Sequence, residues 1–99
     1  MQIEKGPRLV ALRLLSDLGE VGGLDLVKAS GGKLRRGTVY VYLARLADAG
    51  LVTSRASEDA PAPSGLPRRL FKITRAGKQA LLGTLAAQRA YARAAEVVG

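Results

Sequence analysis

Lysine and arginine are the side chains with chemistry to offer in this 99-residue chain: 16 of them stand against eight acids, and cysteine and histidine are both absent. Without those two residue types there is no disulfide, no zinc site of the usual ligand set, and no Ser-His or Cys-His nucleophile. The pairs Gly22-Gly23 and Gly31-Gly32 read as turns and lack the strand-loop-helix setting of a phosphate-cradling motif. An enzyme, a metal and a cofactor are therefore not expected. What remains is the binding of something negative.

The bases are unevenly placed. Residues 1–32 are balanced, whereas in residues 33–57 Lys33, Arg35, Arg36, Arg45 and Arg55 face the single acid Asp48. Residues 60–78 hold Arg68, Arg69, Lys72, Arg75 and Lys78 with no acid at all. Two separate basic segments and a net charge of +8 form the footprint of a polyanion binder. A merely solvated basic surface would have the same composition, so spacing has to decide.

Spacing is most informative over residues 33–55, KLRRGTVYVYLARLADAGLVTSR. Lys33, Arg35, Arg36 and Gly37 lead into Thr38, a good N-cap, and Gly50 closes the helix that follows. On that helix Val39, Leu43 and Leu46 share one face, with Tyr42 and Ala47 at its edges. The opposite face carries Thr38, Val41, Ala44, Arg45 and Asp48. One side can dock on a core while the other, with arginines at its N-terminal end, meets something negative, as a recognition helix does.

The remaining elements must mount this helix. Pro7 suits a first helical turn, and Leu9, Val10, Leu12, Leu14, Leu15 and Leu18 are apolar on more than one side, which predicts a buried helix ended by Gly19. Leu24, Leu26, Val27 and Ala29 predict a short second helix after the Gly22-Gly23 turn, closed by Gly31-Gly32. Residues 51–55 and 68–74 read as strands around a proline-rich loop at 56–67, so a two-stranded wing is expected. Thr74 is the expected N-cap of a last helix over residues 75–98. One seam of that helix (Leu81, Leu85, Gln88, Ala92, Ala95) can pack on its own domain. A second seam of small residues (Ala76, Ala80, Gly83, Ala87, Ala90, Ala94, Val97), flanked by Tyr91 and Val98, lets another helix axis approach closely. The fold class predicted is mostly α with a small β-hairpin: a winged helix-turn-helix over residues 1–74 and a long C-terminal helix over residues 75–99.

Three stretches in this order resemble the PadR family of winged-helix transcriptional regulators, in particular its short members with one C-terminal helix. They are GPRLVALRLLSDLGEVGGLDLV, GTVYVYLARLADAGLV and GLPRRLFKITRAG, with the Gly-Thr-x-Tyr helix start, the Arg-Leu pair and the Thr-x-x-Gly after the wing. The resemblance spans residues 6–82. Val41 stands where the family usually has proline, Tyr42 where a small residue is commoner, and Leu70-Phe71 replaces a tyrosine-rich pair.

That resemblance implies a homodimeric regulator of transcription, with repression the expected sign, bound to a palindromic double-stranded DNA operator. By position, Thr38, Tyr40, Val41 and Arg45 would meet base edges and adjacent phosphates, Lys33, Arg35 and Arg36 the phosphates at the helix start, and Arg55, Arg68 and Arg69 the flanking backbone. Tyr40 could equally complete the packing beside the core. The family's dimer, built from its first and last helices, implies Leu14, Ala76, Ala80, Gly83, Ala87, Ala90, Tyr91, Ala94 and Val97 as dimerisation residues. Some family members bind aromatic compounds between protomers. Here Tyr91 is the only aromatic of the last helix and tryptophan is absent, so a small-molecule effector is not expected. No apolar stretch suits a membrane span or a secretory leader, and a cytoplasmic location is expected. The alternative is a winged helix serving as a protein–protein module of a phage or mobile element.

Overall fold

The computed structural model describes residues 6–57 and 68–98. The chain runs α1 (Pro7–Leu18), β1 (Val21–Gly22), α2 (Gly23–Ala29), α3 (Val39–Asp48), β2 (Val52–Ala56), β3 (Arg69–Ile73) and α4 (Arg75–Val98). Most of the loop predicted over residues 56–67 lies outside the described residues, as do the surroundings of the Val97 and Val98 side chains. Among the described residues no helix is long and apolar enough to cross a membrane.

α1 is the spine of the core. Pro7 opens it, Leu9, Ala11, Leu12 and Leu15 are buried, and it touches α2, α3, α4 and β3. Val39, Leu43 and Leu46 of α3 are fully buried against it, joined by Leu26, Val52, Phe71, Ile73 and Leu81. Each fully buried leucine contributes on the order of 1.5–3 kcal/mol by leaving water. Leu34 belongs to this core at 2% exposure. It was not expected there, because a lone leucine between Lys33 and Arg35 carries no periodic signal.

The wing differs from the predicted two-stranded hairpin. Val21 and Gly22, the latter read from the sequence as part of a Gly22-Gly23 turn, form β1, and the antiparallel sheet has the order β1-β3-β2. Val21 pairs with Phe71 and Gly22 with Leu70, while β2 pairs with β3 from Val52–Ile73 to Ala56–Arg69. A two-residue strand is too short to show an alternation. Gly22 is extended rather than left-handed, and a Cβ there would meet the Arg69 carbonyl only at an ordinary 3.5 Å, with the Asp25 carboxylate nearest at 3.3 Å. On β3 Phe71 is buried and Leu70 half-buried.

α4 begins as predicted. Thr74 Oγ1 accepts the Gly77 backbone N–H at 3.0 Å and donates to the Gly50 carbonyl at 2.7 Å. Leu81 is buried and Leu85 half-buried, but the rest of the inner seam (Gln88, Ala92 and Ala95) is exposed. The reason is length: α1 has 12 residues and α4 has 24, so α4 outruns the domain beneath it. Ala80, assigned to the outer seam, is half-buried against the protomer's own core. The molecule is accordingly elongated, 57 × 26 × 20 Å.

Candidate nucleic-acid interface

The turn between α2 and α3 is pinned by a buried serine. Ser30 Oγ donates to the Val27 carbonyl at 2.8 Å and accepts the Leu34 N–H at 2.9 Å. Leu34 is thereby driven into the core while Lys33, Arg35 and Arg36 remain at the surface. The sequence reading missed Ser30; a serine directly after a short helix and four residues before a leucine is the signal that was available. Beyond the turn the Arg35 carbonyl accepts from Thr38 and Val39, which winds the chain into α3. Thr38 occupies the N-cap position but makes no side-chain cap bond, so its hydroxyl stays available on the exposed face.

α3 ends where Gly50, at φ +76°, turns left-handed. The Leu51 N–H bonds to the Leu46 carbonyl and the Gly50 N–H to the Ala47 carbonyl, both at 2.9 Å, the paired pattern of a Schellman stop. Between cap and stop the two faces separate as expected: Val39, Leu43 and Leu46 are buried, whereas Thr38, Val41, Ala44, Arg45 and Asp48 are exposed. No described element covers that outer face. Among the described residues Lys33, Arg35, Arg36 and Arg45 form no ion pair, so the cationic fringe of α3 is electrostatically unspent.

Tyr40 is a packing residue as well as a surface one. A Cβ on Gly23 would lie 2.7 Å from its ring, so the ring sits directly on the backbone at the start of α2, and its centroid is 6.3 Å from that of Phe71. Half of the side chain remains exposed, which keeps the hydroxyl within reach of solvent.

The wing arginines are not bare cations. Arg55 forks onto the Glu20 carboxylate, with Nε at 2.8 Å and Nη2 on the second oxygen. Arg68 Nη2 reaches Asp25 at 3.2 Å, and Asp25 also accepts the Gly22 N–H at 3.0 Å, tying the wing to the start of α2. Arg69 donates to Ser54 at 3.3 Å. By strand alternation Arg55 and Lys72 lie on one face of the sheet and Arg69 on the other, with Phe71. The predicted wing trio therefore does not converge on one surface. The hydrogen bond from Arg55 holds the Glu20 carboxyl below the usual glutamate range; desolvation opposes this, and the charges of Arg55 and Lys72 reinforce it. Lys72 had been counted only as charge, since its face became legible through the register alone.

Of the expected dimerisation residues, Ala76, Gly83, Ala87, Ala90, Tyr91 and Ala94 are exposed, and Leu14 and Ala80 are half-buried. Beyond Leu85, residues 86–96 are exposed on every side.

Comparison with known proteins places this geometry. The profile of the transcriptional regulator PadR-like family matches residues 12–82. No curated protein sequence matches the chain. Among solved structures, a probable transcriptional regulator from Pseudomonas aeruginosa is 25% identical with a TM-score of 0.72, over 94% of this chain and 65% of that one. This chain thus spans just under two thirds of that protein's length. A PadR family transcription regulator from Clostridium difficile R20291 is 22% identical with a TM-score of 0.74, over 94% and 98% of the two chains. BpsR of Bordetella bronchiseptica, whose DNA binding is regulated by 6-hydroxynicotinic acid, is 20% identical with a TM-score of 0.70, over 89% and 61%. The profile covers the chain from the middle of α1 to the first turns of α4 in unbroken order, including the α3 whose basic fringe and two faces were described above, and on that ground the chain belongs to the PadR-like family of transcriptional regulators.

Proposed function

We propose that the chain is a sequence-specific double-stranded DNA-binding repressor that acts in the cytoplasm as a homodimer. One observation carries this reading: α3 turns a fully buried face to the core and an uncovered face outward, and among the described residues Lys33, Arg35 and Arg36, at its N-terminal end, form no ion pair. Phosphates are drawn to that end by the bases and by the helix dipole together. α3 then lies in the major groove, with Thr38, Val41 and Arg45 toward the bases, and the wing follows the backbone or minor groove through Arg69, with Arg55 and Arg68 exchanging their carboxylate partners for phosphates.

The second copy is argued from α4. Its last described turns, residues 86–96, are exposed along their whole length, and a helical extension of that length with so little buried surface is marginal in water. Its exposed seam of Ala87, Ala90 and Ala94, beside Tyr91, gives a partner helix close access, with Leu14 of α1 at the base of the same assembly. Ala87, Ala90, Tyr91 and Ala94 lie beyond the stretch matched by the family profile, so the seam is an argument from this chain's own sequence. A close-packed seam leaves no room for a ligand cavity of ~300 Å³ or more, and no effector is part of the reading. A ligand-sized void between protomers would overturn that last point.

The test is selection of duplexes from a random library, followed by titration across salt. A dimer selects a palindrome with half-sites about 10 bp apart or a multiple of that. Affinity for the winner falls with log[salt] at about 0.9 per neutralised phosphate. A chain that stays monomeric at micromolar concentration, or shifts duplexes without salt dependence, refutes the proposal and returns the winged helix to a protein–protein role.

A further inference from the structure

The outer face of α3 is poor in hydrogen-bonding groups. Thr38 and Arg45 bracket it and Asp48 sits at the trailing end, but the middle of the face is Val41, with Ala44 one turn on. Val41 is 48% exposed, and no described element covers it. A single exposed valine is ordinary on a protein surface. This one occupies the centre of the exposed face of α3, one turn from Thr38 and one turn from Arg45, on a helix whose other side is immobilised by three fully buried residues. Valine in a helix holds a single χ1 rotamer, so its methyls stand in a fixed place before any partner arrives.

The apolar group a DNA major groove offers in return is the 5-methyl of thymine. We infer that Val41, with Ala44 beside it, is a thymine-methyl reader, so that each half-site contains an obligatory T·A pair recognised by shape and burial rather than by hydrogen bonds. The inference rests on the placement of α3 in the major groove and deepens it. Val41 and Arg45 are four residues apart, about 6 Å along the helix, which puts the thymine within roughly two base pairs of the guanine that suits Arg45.

Uracil isolates the contact, since replacing thymine by deoxyuridine removes the methyl and leaves every hydrogen-bonding group in place. In the selected duplex, thymines are replaced one symmetry-related pair at a time and binding is measured for the wild-type chain, Val41→Ala and Arg45→Ala. Burial of one methyl corresponds to about a fourfold change per half-site, hence roughly tenfold or more for a substituted pair. Wild type loses this affinity at one thymine pair only. Val41→Ala starts weaker on the thymine duplex and no longer distinguishes uracil at that pair, while Arg45→Ala keeps the uracil response. If wild type binds every uracil duplex within twofold of the parent, or if Val41→Ala retains the full uracil loss, the inference is wrong and the DNA-binding proposal stands. If no duplex is bound in a salt-sensitive way, both fall.

Discussion

The junction between wing and last helix makes one substitution informative at two positions. At Gly77 an added Cβ would stand 2.1 Å from the Leu51 carbonyl oxygen and 2.7 Å from Ile73 Cγ1, whereas ordinary contact begins at 3.4 Å. Alanine there must push the start of α4 away by about 1.3 Å. The retreat strains three hydrogen bonds: Thr74 N–H to Leu51, Thr74 Oγ1 to Gly50, and Gly77 N–H to Thr74 Oγ1. At about 1 kcal/mol each, less about 1 kcal/mol regained because alanine favours helix over glycine, and with looser packing of Ile73 and Leu81 added back, Gly77→Ala should destabilise by roughly 2–4 kcal/mol. In a domain of this size that lowers Tm by roughly 10–25 °C. At Gly83, in the same helix, an added Cβ meets nothing within 4 Å. Gly83→Ala should therefore stabilise by about 0.5–1 kcal/mol through helix propensity alone. Urea melts read at several fixed protein concentrations compare the pair and keep association from passing for stability. Gly77→Ala within about 0.5 kcal/mol of wild type would refute the close approach at Leu51 and the reasoning built on it.

Three further outcomes are expected. Arg45→Ala should erode discrimination among duplexes by about 1–3 kcal/mol, while Arg69→Ala weakens all duplexes alike and lowers the salt slope by about one; uniform losses in both would merge readout and positioning contacts. Tyr40→Phe should leave stability unchanged, because the ring rather than the hydroxyl lies on Gly23; a fall in DNA affinity in that variant would identify the hydroxyl as a phosphate contact. The Glu20 carboxyl is held below its usual value, so its pairing with Arg55 supports the fold at neutral pH, and that support fades as pH falls from about 4.5 through the lowered value. The stability gap between wild type and Glu20→Gln should then be present at pH 7 and closed in the acid limb of a melt series, and a gap independent of pH would rule the ion pair out as its source.

How much of this was legible in the sequence depended on whether each feature repeats along the chain. The two faces of α3 and the greasy α1 were visible because helical periodicity spreads over several turns, and Gly50 and Thr74 because caps have strong residue preferences. The loop-borne Leu34, its Ser30 staple and the two-residue β1 were not, since each is a single position whose meaning comes from elements distant in the chain. Charge counting found the basic wing but not its partners. Glu20 and Arg55 are 35 residues apart and Asp25 and Arg68 are 43 apart, separations at which only the fold decides who meets whom.

The Gly50–Leu51 turn also ties the proposed dimer to the proposed reading. Here α3 stops, β2 starts, β3 ends and α4 begins, and the Leu51 peptide serves two of them: its N–H closes α3 on Leu46 and its carbonyl takes Thr74 N–H. Thr74 in turn bonds the Gly50 carbonyl and caps α4. With Gly77 pressed against the Leu51 carbonyl, the direction of α4 relative to α3 is set by backbone contacts that leave little angular freedom. If two chains associate through α4, the separation and tilt of their two α3 helices follow from this turn, and so does the half-site spacing. A small residue at position 77 is then a requirement of operator geometry as well as of stability. A variant that keeps the fold but loosens the turn, such as Thr74→Ala, should accept a broader range of half-site spacings in duplex selection. An unchanged spacing in that variant would show that the angle between the helices is fixed elsewhere.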